Sequence, residues 1–297
     1  MPIGFNTGVI LVTGATGRLG RLVVAALLEG GQPVRALVRA ASVIPEGWGA
    51  VRLVRGDLDD PGSLPDAITG VETVVVVSPM TPWLDRQDGA VLEAAEEGQV
   101  RHVVKVSTTA PDAASPISWW RAHWRAEERL RGSPLGWTIL RPNGIAMFLL
   151  DFAAEVAATG AFTTGAGSGR MALVHPGDVG LATATVATAP TRFAGRVLDL
   201  TGPEPLSYDD VAAQLGSLLG RPVEHRAVDP AAAAEHLRRA GLRGWEAEGV
   251  LANWLMTRDR VGGFARVSGD LAEVLGRPPR SVHDYLAEHL DRFRGAA

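Results

Sequence analysis

The sequence predicts a doubly wound α/β fold on a parallel sheet. Three observations predict it: short β-branched runs that are almost continuously apolar, stretches of helical period between them, and a glycine-rich turn where the first run meets the first helix. Parallel strands are covered on both faces by their crossover helices, so they read as apolar runs rather than as alternation. The runs are 9–13, 34–38, 51–54, 73–77, 103–106 and 137–140. Between them, Leu19, Leu22, Val23, Ala26 and Leu27 keep a helical spacing, as do Val91, Leu92 and Ala95. This alternation is that of βαβ units joined by right-handed crossovers.

Beyond Arg141 the pattern loosens. The spacing predicts a helix over 147–158, then a glycine-rich mobile loop from Gly165 to Gly169. Asp178 is placed to cap a helix starting at Val179, and 197–200 reads as one more strand. From Ser207 the chain is mostly helical, with Asp229-Pro230 opening one helix and Ser281 capping the last. There is no internal repeat and no low-complexity linker, so one domain over 1–297 is expected. Its second lobe would come mainly from 146–176 and 201–297.

Composition excludes several classes. The chain has 297 residues, 46% hydrophobic and 21% charged, enough to bury a core without staples. It has no cysteine, which removes disulfides, thiolate metal sites and thiol nucleophiles. A net charge of −4 gives no basic footprint for nucleic acid, and the arginines of 121–131 are interleaved with Glu127 and Glu128 as on a solvated helix face. No run approaches 18 apolar residues, and the N-terminal segment has no basic stretch before its apolar run. A cytoplasmic protein with no membrane partner is the expectation; the oligomeric state stays open. No histidine pair has a metal-ligand spacing, so no metal site is expected.

The turn Thr13-Gly14-Ala15-Thr16-Gly17-Arg18-Leu19-Gly20 follows a strand and opens a helix. One glycine makes the tight turn, one admits a pyrophosphate against the backbone, and one lets helix and strand approach. The helix N-terminus then offers N–H groups and a positive dipole end to the phosphates. This is the dinucleotide turn of a Rossmann sheet. Arg39 ends the second run where an acidic residue would hold a ribose 2′-hydroxyl, and Arg18 is a second guanidinium. Both suit a 2′-phosphate, which favours NADPH/NADP+ over NAD. Asp57, ahead of Leu58, either accepts from the adenine amino group or caps the helix after Pro61. Ser78-Pro79 ends the fourth run, where the chain passes beneath the nicotinamide ribose.

These residues resemble the short-chain dehydrogenase/reductase superfamily in its atypical, NmrA-like branch. The likeness is carried by TGATGRLG at 13–20, VRALVR at 34–39, GDLDD at 56–60, HVVKVST at 102–108, HWRAEERLRGSPLGWTILRPNG at 123–144 and HPGDVG at 175–180. It implies a seven-stranded parallel sheet with a small, mostly C-terminal helical lobe. It further implies a catalytic serine at Ser107, with Pro142 and Asn143 bordering the nicotinamide. The superfamily's usual Tyr-x-x-x-Lys pair is absent: Trp119 stands at the tyrosine position and His123 at the lysine position, still on one helix face. The alkoxide must then be stabilised by Ser107, Thr108, His123, a water or the substrate itself. Alternatively, Ser107 only caps its strand and His123 only faces solvent.

Trp119, Trp120 and Trp124, with Met147, Phe148 and Phe152, either line a flat apolar pocket or pack the core. The resemblance implies an NADPH-dependent ketoreductase for an aromatic polycyclic substrate, near those that tailor angucyclinone polyketides in antibiotic biosynthesis of the simocyclinone type. A quinone reductase and a non-catalytic NADP sensor are the alternatives.

Overall fold

The computed structural model describes residues 8–295. Residues 1–7 and 296–297, part of the single domain expected from sequence, lie outside that range. Strands β1 (Val9–Val12), β2 (Val34–Val38), β3 (Arg52–Arg55), β4 (Val71–Val77), β5 (His102–Val106), β6 (Gly136–Pro142) and β9 (Val197–Leu200) form one seven-stranded sheet. Its order is β3-β2-β1-β4-β5-β6-β9, and every neighbouring pair is parallel. The expected strands therefore form, with β3 starting one residue late because Val51 closes a turn on Trp48.

Helices α1 (Gly20–Glu29) and α6 (Pro176–Thr188) cover one face. There Val23, Val24 and Leu27 meet Val104, Val106 and Leu140. Helices α2 (Pro65–Ile68), α3 (Leu84–Glu97) and α4 (Ser118–Arg131) cover the other, where Ala90, Val91 and Leu130 meet Val103 and Ile139. Successive strand residues point to opposite faces, so Lys105, Ser107 and Arg141 share the α3–α4 side with Val103 and Ile139.

A third apolar cluster joins α4 to the remaining elements. These are α5 (Ala153–Thr159), β7 (Ala161–Thr164), β8 (Arg170–Met171), β10 (Leu206–Ser207), α8 (Tyr208–Leu219), β11 (Glu224–Ala227), α9 (Pro230–Arg239), α10 (Gly244–Arg258), α12 (Val282–Glu288) and α13 (Leu290–Arg294). The short helices α7 (Pro190–Phe193) and α11 (Asp270–Leu275) pack beside β9 instead.

Four sequence expectations change here. The helix over 147–158 divides into a 3₁₀ segment, Ala146–Phe152, and α5. The Met147 carbonyl is taken by the Arg18 guanidinium, which competes with regular helix. Asp178 does not cap α6. His175 is the cap, its Nδ1 accepting from the Gly177 N–H at 3.1 Å, while Asp178 is buried in the first turn and paired with Arg277 (2.7 Å) and Arg280 (2.9 Å). Ser281 does cap α12, through a full capping box, but α13 follows it. Gly165 and Gly169 are not in a free loop: their segment lies against α9 and α10, with Ala166 fully buried. The Asp229 cap is as expected.

Candidate cofactor and hydride-transfer site

The glycine turn is built for close approach. Gly14 has φ +56°, and a Cβ there would stand 2.3 Å from the Val77 carbonyl oxygen. A Cβ on Gly20 would stand 2.1 Å from the Gly14 carbonyl oxygen, so α1 packs directly on the turn. Gly17 closes the loop by donating its N–H to that same carbonyl at 2.9 Å and is exposed, like Gly14 and Arg18. No side chain caps α1 and its first turn holds no acidic residue. The helix end thus keeps its positive field for an anion, with Thr16 and Leu19 half-exposed beside it. These features fit a bound pyrophosphate.

Other expected contacts are placed differently. Thr13 has no exposed surface; its hydroxyl ties β1 to β4, accepting from the Val77 N–H at 3.1 Å. It holds the turn rather than meeting a ligand. Arg18 reaches across to Asp151 (3.2 Å) and the Met147 carbonyl and lies over the Phe148 ring. Those contacts tie it to the 146–152 segment. Arg39 is exposed at the end of β2, its backbone N–H on Ser42 and its guanidinium without a partner among the described residues. Asp57 neither caps a helix nor is buried: its carboxylate accepts from the Asp59 N–H at 3.1 Å, forming a local turn, and Leu58 beside it is half-buried.

Beyond the turn, the carboxyl ends of β4, β5 and β6 bury a layer of polar groups. Ser78, half-exposed ahead of exposed Pro79, donates its hydroxyl proton to Asp88 Oδ1 on α3 and accepts from Lys105 Nζ at 3.1 Å. The ammonium also meets Asp88 Oδ2 at 2.9 Å, with both side chains 2% exposed. One strand further on, the Ser107 hydroxyl donates to Glu127 Oε1 at 2.6 Å. Glu127 is fully buried and held by Arg141 (Nε at 3.0 Å) and Arg131 (2.8 Å). A hydroxyl has one proton to give. Both serines have given theirs to a carboxylate fixed by cations, so each meets the cleft only as an acceptor.

His123 is buried rather than solvent-facing, and its Nδ1 has no hydrogen-bond partner among the described residues. Burial, and next the Lys105 ammonium, push its pKa far below the ordinary imidazole range, so it is neutral. Trp119 is buried too, edge-on to Trp245 (centroids 5.9 Å apart); a Cβ on Gly249 of α10 would stand 2.1 Å from its ring. Helix α10 therefore packs directly onto Trp119. Trp120 packs on Phe264 and Phe152 stacks on Phe162, both inside the core. Trp124 is half-buried, and Phe148 is 40% exposed. Burial raises the pKa of Tyr208 to about 12 and raises that of Tyr285.

Asn143 sits at the end of β6 beside buried Pro142. Its amide donates to the Phe264 carbonyl at 2.7 Å and its Oδ1 accepts from the Gly144 N–H. Sequence reasoning missed Asp88, Lys105 and Arg141, and it read Glu127 as part of a solvated helix face where its pairing with Arg131 and Arg141 buries it fully. The available signals were Lys105 inside an apolar strand, Arg141 ending another, and Glu127 four residues after His123 on the same helix face.

Sheet, turn and polar strand ends together define a Rossmann-fold dinucleotide-binding protein. The chain belongs to the NAD(P)H-binding family, whose model matches residues 14–190, and its neighbours include NmrA-like proteins. It is 34% identical over 293 residues to the (4-alkanoyl-5-oxo-2,5-dihydrofuran-3-yl)methyl phosphate reductase of Streptomyces griseus, covering 96% of this chain and 99% of the relative. It is 31% identical to the NAD(P)H azoreductase of Xenophilus azovorans, covering 97% and 100%. Among solved structures it superposes on an NADPH-dependent quinone oxidoreductase of Escherichia coli in complex with NADPH. That match has a TM-score of 0.83 and 25% identity and covers 96% of this chain and 100% of the other. The cofactor is thus NAD(P)H, as the turn predicts. No helix among the described residues is long and apolar enough to cross a membrane, and no described His, Asp or Glu cluster is arranged to hold a metal.

Proposed function

We propose that the protein is an NADPH-dependent reductase of planar, conjugated acceptors: a quinone, or a ketone of an aromatic polycycle whose reduced oxygen is a weak base. The observation that carries this reading is the committed proton of Ser107. With that hydroxyl on Glu127, His123 neutral and Trp119 in the tyrosine position, none of these three side chains is poised to protonate an alkoxide. A general acid supplies about 10²–10⁴-fold, so its absence selects acceptors that need none. A quinone spreads the arriving electron pair over a hydroquinone anion, and a carbonyl reduced by conjugate addition spreads it over an enolate; both are weak bases that can take their proton from water. The names of the azoreductase and quinone oxidoreductase relatives support an acceptor of that electronic kind.

When bound, NADPH supplies the hydride. Gly14, Gly17 and the uncapped start of α1 would hold its pyrophosphate. Arg39 would hold the 2′-phosphate, while Ser78 and Ser107 would accept from its donor groups. Pro142 and Asn143 border the same strand ends. The protein's part is to orient the partners.

The test is a panel of naphthoquinone, anthraquinone, aryl ketones and simple aliphatic ketones, followed at the nicotinamide absorbance. Quinones and conjugated ketones should turn over at least tenfold faster than aliphatic ketones. Arg39→Ala should cut the NADPH-over-NADH preference about tenfold or more, the worth of a charge-assisted hydrogen bond. Tight NADPH binding with no oxidation by any acceptor would instead support a non-catalytic sensor.

A further inference from the structure

At the carboxyl ends of β5, β6 and β9 lies a cavity of about 150 Å³. Its polar lining comes from Thr109, Arg141, Asp199, Thr201, Arg266 and Ser268. Ligands of open α/β sheets bind outside the carboxyl ends of the strands. Here Thr109 follows Ser107 by two residues, and Asn143 contributes to both this wall and the hydride site. The volume is several times the ~30 Å³ share of one water, so it admits a small substituent.

The lining has donors to spare. Arg141 spends Nε and Nη2 on Glu127, leaving Nη1 uncommitted. Arg266 is 73% exposed and held only by a 3.5 Å contact to Asp199. Ser268 Oγ accepts from the Asp270 N–H, and its own proton is uncommitted among the described residues, as is that of Thr109. Against these stands one loosely paired acceptor, the Asp199 carboxylate. Asn143 already uses both ends of its amide. Two guanidinium groups against two carboxylates, Glu127 and Asp199, balance in charge, but their remaining N–H groups and the hydroxyl donors between them complement an acceptor-rich group.

We propose that this cavity is a subsite for an anionic substituent of the acceptor, a carboxylate or a phosphate monoester. The inference rests on the reductase reading for the word acceptor, and it stands on the cavity alone for the word anionic. Arg266 is the specificity-determining residue: the anion displaces it from Asp199 and takes its guanidinium. Arg141 supplies the second, fixed cation.

Calorimetric titration of the NADP+-loaded protein separates the two ideas, because it reads binding without turnover. The probes are naphthalene-2-carboxylate, 1-naphthyl phosphate and uncharged naphthalene-2-carboxamide. Either anion should bind at least tenfold more tightly than the amide, and the stronger of the two names the group. Arg266→Met should bring anion and amide within about twofold while leaving amide affinity unchanged; Arg266→Lys should keep part of the preference. Because Arg266 is exposed, both variants should fold as the parent does. Equal binding of anion and amide, no binding of either anion, or an undiminished preference in Arg266→Met would each overturn the proposal. A protein that prefers anions but reduces nothing keeps this inference and loses the reductase reading; one that reduces neutral quinones without anion preference does the reverse.

Discussion

The two ends of β5 bury polar groups in opposite ways. At its start, His102 Nε2 meets the Thr138 hydroxyl at 2.9 Å, and that hydroxyl donates to the Phe193 carbonyl at 2.9 Å. Since the threonine proton is spent there, the contact requires the hydrogen on His102 Nε2, and the chain of bonds closes on itself. At its far end, Ser78, Lys105, Asp88, Ser107 and Glu127 form chains that end in unused lone pairs, and His123 Nδ1 is left without a partner. Buried polar groups are ordinarily satisfied, and exceptions concentrate where ligands complete them. The closed end holds the sheet together. The open end is the proposed ligand site, and its two serine hydroxyls can only accept.

The largest expected way to break the comparison is Lys105→Met. It leaves Asp88 buried beside an apolar chain, which should cost about 3–5 kcal/mol in denaturant unfolding. Replacing both partners, as in Lys105→Met with Asp88→Leu, should recover most of that loss but weaken NADPH binding through the misaligned Ser78. Full recovery of both stability and binding would show the far end to be as purely structural as the near one.

Next comes pH. Burial lowers the pKa of His102 to about 4, against an ordinary 6.5. Between those values the unfolded chain binds a proton that the folded chain refuses, so stability rises with pH across the window. It is lost as pH falls from about 6.5 towards about 4. At about 1.4 kcal/mol per unit, the loss should reach roughly 3 kcal/mol. His123, shifted in the same direction, adds to it. Thermal melts at stepped pH should show the slope, and His102→Gln should flatten it; an unchanged slope would place the titration elsewhere.

The smallest expected effect is the sharpest. Ser107→Ala should leave kcat within about threefold and its solvent isotope effect unchanged, because the lost group was an acceptor. NADPH affinity should drop roughly 2–10-fold, the range of one hydrogen bond. A fall in kcat of about 10²-fold would mark Ser107 as a proton donor after all.

How much of this was legible in advance differs between the two halves of the molecule. Gly14, Gly17 and Gly20 announce their turn because only glycine satisfies a positive φ and the approach of helix to strand, and both demands are local. The apolar runs announce a parallel sheet for the same kind of reason: each is covered on both faces wherever its neighbours lie. Met147 and Asp151, which hold Arg18, are about 130 positions away, so no local pattern announced them. Asp178 read as a cap because its local pattern fits one; its partners Arg277 and Arg280 come from the far end of the chain.

By itself, then, the sequence determined the doubly wound sheet and the dinucleotide turn, both properties of near neighbours and residue type, while the missing tyrosine acid is what the family resemblance implies. Only the tertiary structure decided where protons sit. Whether Ser107 donates or accepts depends on Glu127 from the next helix and Arg141 from the next strand. Whether His123 is charged depends on its burial and on Lys105. Hydrogen-bond direction and electrostatic field are set by groups that meet only when the chain has folded, and no spacing along the sequence records them.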